Sequence, residues 1–134
     1  LALCDVCIPN KTEICSLTGQ TVNCEADAIR AAERLRERCV KRVALTMGSD
    51  GVLLLDDSGS THIPAIKVDA VDTTGAGDAF TAAFATSLAD GMSLTESAHR
   101  AAMVAAISVT RVGTQSAFPS LKEVNEWITL NVHE

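Results

Sequence analysis

Gly75-Ala76-Gly77-Asp78 is the stretch of this chain best equipped for chemistry. Three small residues ahead of an apolar helical run allow their backbone N–H groups to crowd onto one anion at a helix N-terminus. A carboxylate beside that anion would weaken its binding unless it had a task there. The task that fits Asp78 is taking the proton from a hydroxyl that attacks a phosphoryl group. Asp78 is therefore the candidate base, and Gly75, Ala76 and Gly77 are the candidate anion hole. A glycine turn entering a helix behind an ordinary first-turn acid would carry the same residues, so the rest of the chain must decide between the two.

Two other phosphate-binding patterns do not fit. A P-loop places a lysine and a hydroxyl after its glycines, where this chain has Asp78 and Ala79. A dinucleotide fingerprint places three spaced glycines after the first strand, whereas this motif comes late and has two.

Composition narrows the setting. With 134 residues, 47% of them hydrophobic, the chain suits one compact unit around one core. A net charge of −6, with 11 basic residues in no dense block, argues against a nucleic-acid or anionic-membrane partner. At 3%, aromatic residues are too few for stacking platforms on single-stranded nucleic acid. Five cysteines without a second close pair argue against a disulfide framework or zinc site; Cys4 and Cys7 read as buried structural thiols, and Cys39 recurs at helical spacing. The cysteine usage and the absence of a membrane-spanning run lead to the expectation of a cytoplasmic protein.

Several elements must position the chemistry. Residues 1–8 form an apolar run of strand length, stopped at Pro9-Asn10. Residues 11–19 read as a short helix closed by Gly19, and Asn23 as the cap of a second helix with Ala28, Ile29, Ala32 and Leu35 on its inner face. A strand at 42–48, a glycine turn, a strand from 51, and further strands at 61–65 and 66–71 give a hairpin and meander. Three helices follow. The first opens at Gly75, the second is capped by Ser93 with Glu96, and the third by Ser120 with Glu123. The order is that of an α/β unit with the phosphate helix at a strand's C-terminal end.

Asp72-Thr-Thr-Gly-Ala-Gly-Asp-Ala-Phe80 resembles the C-terminal signature of the ribokinase-like carbohydrate kinases, the PfkB family. Other segments agree in order. Asn10-Lys11-Thr12-Glu13 is similar to the family's Asn-x-x-Glu element, and Thr46-Met47-Gly48-Ser49-Asp50-Gly51 to its Thr-x-Gly-x-x-Gly nucleotide loop. Ser108 to Gln115 resembles the segment after its penultimate helix, in a form nearer the ribokinase branch than the adenosine or phosphosugar kinases.

The resemblance implies an α/β/α sandwich of parallel strands with an antiparallel hairpin, of which residues 1–134 would be the C-terminal, nucleotide-binding and catalytic portion. It implies ATP-dependent phosphorylation of a sugar hydroxyl, ribose to ribose 5-phosphate being the leading case and fructokinase-, ketodeoxygluconate- or adenosine-kinase-like activity the variants. Asn10, Thr46, Met47, Gly48, Ser49, Asp50, Gly51, Gly77, Asp78 and Ala102 would line the ATP site, and Asp78 would also touch the sugar. Glu13 would act on Mg²⁺ through water. Asp72, Thr74, Ser108, Arg111, Gly113 and Ala117 would hold K⁺, mostly through carbonyls. His62, His99 and His133 match no functional position and read as surface histidines.

Family chains are more than twice this length, and their sugar pocket and lid lie mostly in the N-terminal portion. Starting at Leu1 on a strand-like segment, the chain looks cut from something longer. The expectations are exposed apolar surface around residues 1–8, self-association or a homodimer, and no catalysis by the isolated fragment. Two other classes are a non-catalytic nucleotide-binding or interaction module and, more remotely, a redox or dinucleotide protein using Cys4 and Cys7.

Overall fold

The computed structural model describes residues 3–38 and 40–131. Cys39 and His133 lie outside the described residues. In place of one unit around one core, the chain divides into two compact units, the first ending at Ala65 and the second beginning at Ile66.

The first unit holds β1 (Val6–Cys7), α1 (Lys11–Thr18), α2 (Glu25–Arg36), β2 (Arg42–Thr46), β3 (Val52–Asp56) and β4 (Gly59–Ile63). Its four-stranded sheet runs in the order β1-β2-β3-β4. β1 is parallel to β2, while β2–β3 and β3–β4 are antiparallel. The continuous apolar run of β3 is buried along Val52–Leu55, as expected for a strand covered on both faces. Ile14 of α1 and Ala28, Ala31, Ala32 and Leu35 of α2 pack with Val43, Leu45, Leu53 and Leu55 into one core. Alanines on α2 allow the helix backbone to lie close to the strands.

Several sequence expectations change here. Of the strand foreseen over residues 1–8, residues 1 and 2 lie outside the described residues, and within 3–8 it is Val6–Cys7. β1 is an edge strand paired only with β2, and Leu3 is fully exposed beside it. Cys4 is exposed and Cys7 half-buried, both free, so they are not the buried pair expected; only Cys7, on the edge strand, packs against the core. Burial, and then the neighbouring Cys4, push the Cys7 thiol up, which makes it a poorer nucleophile. α2 begins after Cys24, not Asn23, and has no side-chain cap; the Asn23 N–H donates to Asp27 Oδ2. The meander ends at Ile63, so residues 66–71 form no strand and the phosphate helix does not follow one directly. Pro64, with no N–H to donate, follows the last paired residue.

The second unit holds α3 (Ala76–Ala89), α4 (Leu94–Val109) and α5 (Leu121–Asn131). Phe80 and Phe84 of α3 stack at 5.6 Å and are buried. α3 lies along α4, whose Ala98, Ala101 and Ala106 are buried small residues that let the helices approach. Ser93 and Glu96 form the expected reciprocal capping box at the start of α4. Ser120 and Glu123 do the same for α5: the Ser120 N–H donates to Glu123 Oε2 at 2.7 Å, and the Glu123 N–H to Ser120 Oγ at 3.3 Å. No described helix is long and apolar enough to cross a membrane.

Candidate active site

In the first unit, two motifs far apart in sequence meet at the C-terminal ends of the parallel strands β1 and β2. The Pro9 carbonyl accepts from Thr46 N at 2.9 Å, and Asn10 bridges Thr46 in parallel register. Ligands of open α/β sheets gather at this end of parallel strands. Asn10 and Glu13 start α1 as a capping box: Asn10 Oδ1 accepts from Glu13 N at 2.8 Å, and Glu13 Oε2 from Asn10 N at 2.8 Å. Asn10 Nδ2 and Glu13 Oε1 take no part in the box and are left to meet a ligand.

The turn after Thr46 is a single 3₁₀ turn, Gly48–Asp50. Met47 N–H donates to the Gly51 carbonyl at 2.8 Å, and Gly51 N–H to the Gly48 carbonyl at 3.1 Å. Met47 is buried in the core, so only its backbone faces the turn, whereas Gly48, Ser49 and Asp50 are exposed. Gly51 has φ +89°, and a Cβ on it would stand 2.1 Å from the Ile63 carbonyl oxygen. Only glycine fits there.

In the second unit, Gly75 caps α3 in the left-handed region at φ +80°. The Ala76 N–H donates to the Thr73 carbonyl at 3.2 Å. No partner among the described residues takes the N–H of Gly75, Gly77 or Asp78. These are the orphan donors of a helix start, aimed where an anion would sit. Asp78 is exposed on the first turn of α3 and makes no capping bond. Its carboxylate is therefore not committed to the fold.

Asp72 is committed. Its Oδ1 accepts from Thr74 N at 2.9 Å and its Oδ2 from Gly113 N at 3.1 Å, drawing the turn before α3 onto the loop after α4. Hydrogen bonds from Thr74, then from Gly113, hold this carboxyl below the usual aspartate range. Val71 and Asp72 N–H groups both donate to the Val109 carbonyl, at 2.7 and 3.1 Å. Carbonyls of Thr74, Gly113 and Ala117 meet no backbone N–H among the described residues, and Ala117 is fully buried. The Ser108 carbonyl accepts from Arg111 N at 3.3 Å. Arg111 turns its guanidinium to Glu123 Oε1 at 2.7 Å, so its charge is neutralised at α5. Unpaired carbonyls beside a carboxylate suit a hard monovalent cation.

The same test for a divalent ion is stricter. No group of three or more His, Cys, Asp or Glu side chains converges among the described residues. Glu13 thus fits Mg²⁺ only as a ligand through water. Ala102 sits half-buried on α4. Hollows lined by Leu121, Asn125 and Leu130, or by Ala79, Ala83 and Arg100, include none of the expected site residues.

A model described as pfkB family carbohydrate kinase matches residues 1–121. This chain belongs to that family. The PfkB chain is 42% identical over 129 residues to a deoxyribokinase of Salmonella typhi, spanning 96% of its own length and 42% of the relative's. Among solved structures it is similar to the ribokinase of Thermotoga maritima, with TM-score 0.85 and 40% identity over 93% of this chain and 42% of that one. It is also similar to an Arabidopsis thaliana ribokinase complexed with ribose and ATP, with TM-score 0.86 and 34% identity over 91% and 40% of the two chains. The mixed sheet of parallel and antiparallel strands is thus that of the ribokinase fold.

Two residues of this PfkB chain escaped the sequence reading. Lys11 reaches Asp50 at 2.6 Å, and His62, exposed as expected, places Nε2 2.6 Å from the Asp50 carbonyl. Neither contact leaves a local signal, because the partners lie 39 and 12 residues apart.

Proposed function

We propose that this chain is the C-terminal, nucleotide-binding and catalytic portion of an ATP-dependent sugar kinase that transfers the γ-phosphoryl group of ATP to a sugar hydroxyl. Ribose is the leading acceptor, and deoxyribose is its nearest competitor, since relatives of both kinds share this fold. The observation that carries the reading is Asp78: an exposed carboxylate with no bond among the described residues, on a helix start where the N–H groups of Gly75, Gly77 and Asp78 are likewise without a partner.

In this reading Asp78 takes the proton of the attacking hydroxyl, and the N–H groups of the 75–78 turn receive charge growing on the transferred phosphoryl. Ala76 N–H would first have to leave the Thr73 carbonyl, so Gly75, Gly77 and Asp78 are the ready donors. The 46–51 turn and Ala102 take the nucleotide. Asn10 would offer its amide to phosphate, and Glu13 would hold Mg²⁺ through water. Mg²⁺ would supply neutralisation of phosphate charge. K⁺, held by the carbonyls of Thr74, Gly113 and Ala117 beside Asp72, would fix the loop next to the anion turn.

The full protein with ATP, Mg²⁺ and K⁺, offered a panel of pentoses, hexoses and nucleosides, tests this directly. Phosphorylation of ribose or deoxyribose is the expected result, and their relative kcat/KM assigns the acceptor. ATP binding with no transfer to any acceptor would favour a non-catalytic nucleotide module instead.

A further inference from the structure

We propose that Lys11 and His62 are positioning residues that hold the Gly48–Asp50 turn in a nucleotide-ready shape; this rests on the reading of that turn as an ATP loop. The turn has an intrinsic weakness. Gly48 and Gly51, at φ +62° and +89°, flank two exposed residues, and glycine backbones lose the most freedom on ordering. Its own bonds include Asp50 N–H to the Met47 carbonyl at 3.2 Å and Gly51 N–H to the Gly48 carbonyl at 3.1 Å. Asp50 projects from the middle of this hinge.

Two elements of the first unit reach Asp50, and a third stands behind one of them. From α1, Lys11 Nζ donates to Asp50 Oδ2 at 2.6 Å. From β4, His62 Nε2 lies 2.6 Å from the Asp50 carbonyl, which can only accept, so that nitrogen carries the proton. From α2, the Glu25 carboxylate stands 3.6 Å from His62 Nδ1, an ion-pair contact only when the ring carries both protons. The side chain and the carbonyl of one turn residue are therefore held by different elements, against both translation and peptide rotation. The Lys11 contact also holds the Asp50 carboxyl below its ordinary range.

A preformed turn spares a nucleotide the ordering cost. Removing either holder should therefore weaken ATP binding without touching the chemical step. Lys11→Ala should raise the ATP Kd and KM about threefold, in keeping with a half-exposed ion pair. His62→Ala should raise them about fivefold, the scale of one hydrogen bond. kcat should be unchanged in both. Lys11→Arg and His62→Gln, which keep a donor at each place, should return to within about twofold of the parent.

The experiment combines calorimetric ATP titration, the KM-against-kcat split and hydrogen exchange of the amides at 48–51, all in the full protein. Faster exchange with weaker ATP binding in the alanine variants, restored in the conservative ones, supports the proposal. Unchanged exchange overturns it. Faster exchange with unaltered ATP affinity overturns it too, since the contacts would then be structural only. If the parent protein binds no ATP, the nucleotide reading of the turn fails and this proposal with it, while exchange still reports whether the two residues order the turn.

Discussion

At the Gly48–Gly51 turn of the first unit, a Cβ on Gly51 would press into backbone, 2.1 Å from the Ile63 carbonyl and 2.7 Å from Ala65 N. At the turn before α3 in the second unit, a Cβ on Gly75 would meet only side chains, Thr114 Cγ2 at 3.3 Å and Phe118 Cε1 at 3.6 Å. The acids differ in the opposite sense. Asp50 is tied to Lys11, whereas Asp78 has no partner among the described residues. A rigid glycine with an engaged acid suits a surface that must keep its shape. A softer glycine with a disengaged acid suits a place where charge and protons move.

The comparison breaks most visibly at the acids. In the full protein, Asp78→Asn should lower kcat by about 10²- to 10⁴-fold, the range of general base catalysis, while the ATP Kd stays within about twofold. Steady-state phosphorylation kinetics beside calorimetry would show it, and an active Asn variant would return Asp78 to the role of an ordinary first-turn acid.

The glycines come next. Gly51→Ala should cost about 3 kcal/mol or more, since strain at positive φ adds to a backbone clash. Gly75→Ala should cost about 1–2 kcal/mol, the strain alone, because its neighbours are side chains that can shift. Urea unfolding monitored by circular dichroism would separate the two. Equal losses would mean that the crowding around Gly51 relaxes as readily as that around Gly75.

The smallest effect belongs to Glu123. Hydrogen bonds from Ser120, then Arg111, lower its carboxyl from 4.5 to about 2. A depressed folded-state value means that stability is fully present above the unfolded value and is lost as pH falls through the folded one. α5 should therefore loosen between about pH 4.5 and 2. Glu123→Gln should melt lower than the parent at pH 7 and converge with it near pH 2. Thermal melts across that range would check this, and parallel melting curves at every pH would mean that the box contributes nothing.

Much of this molecule was readable as local pattern. Capping boxes need only residues three apart, so α4 and α5 announced their starts, and Gly19 announced the end of α1; the Asn10–Glu13 box at the start of α1 was read only as a site motif. The apolar run of β3 and the glycine turn before it fixed the hairpin. What failed depended on neighbours. Residues 3–8 had strand composition but found a strand partner only at Val6–Cys7, and residues 66–71 had it but found none among the described residues. The motifs that place the chain in its family were legible because they recur in order along the sequence. Which acids are already occupied was not legible: Asp50, Asp72 and Asp78 look alike in sequence, and only long-range partners distinguish them.

The reciprocal box of Asn10 and Glu13 sets up a competition. Two of the four unpaired amides at the start of α1, those of Glu13 and of the cap itself, are quenched by the same two side chains proposed to meet phosphate and hydrated metal. A ligand that drew on Asn10 Oδ1 or Glu13 Oε2 would unzip the first turn of an eight-residue helix, too short to hold itself without its ends. Engagement through Asn10 Nδ2 and Glu13 Oε1 leaves the helix intact. Occupancy of the ligand and fraying at Lys11–Glu13 are thus alternatives for some binding poses and independent for others, and amide line-broadening there on titration would tell which pose the molecule adopts.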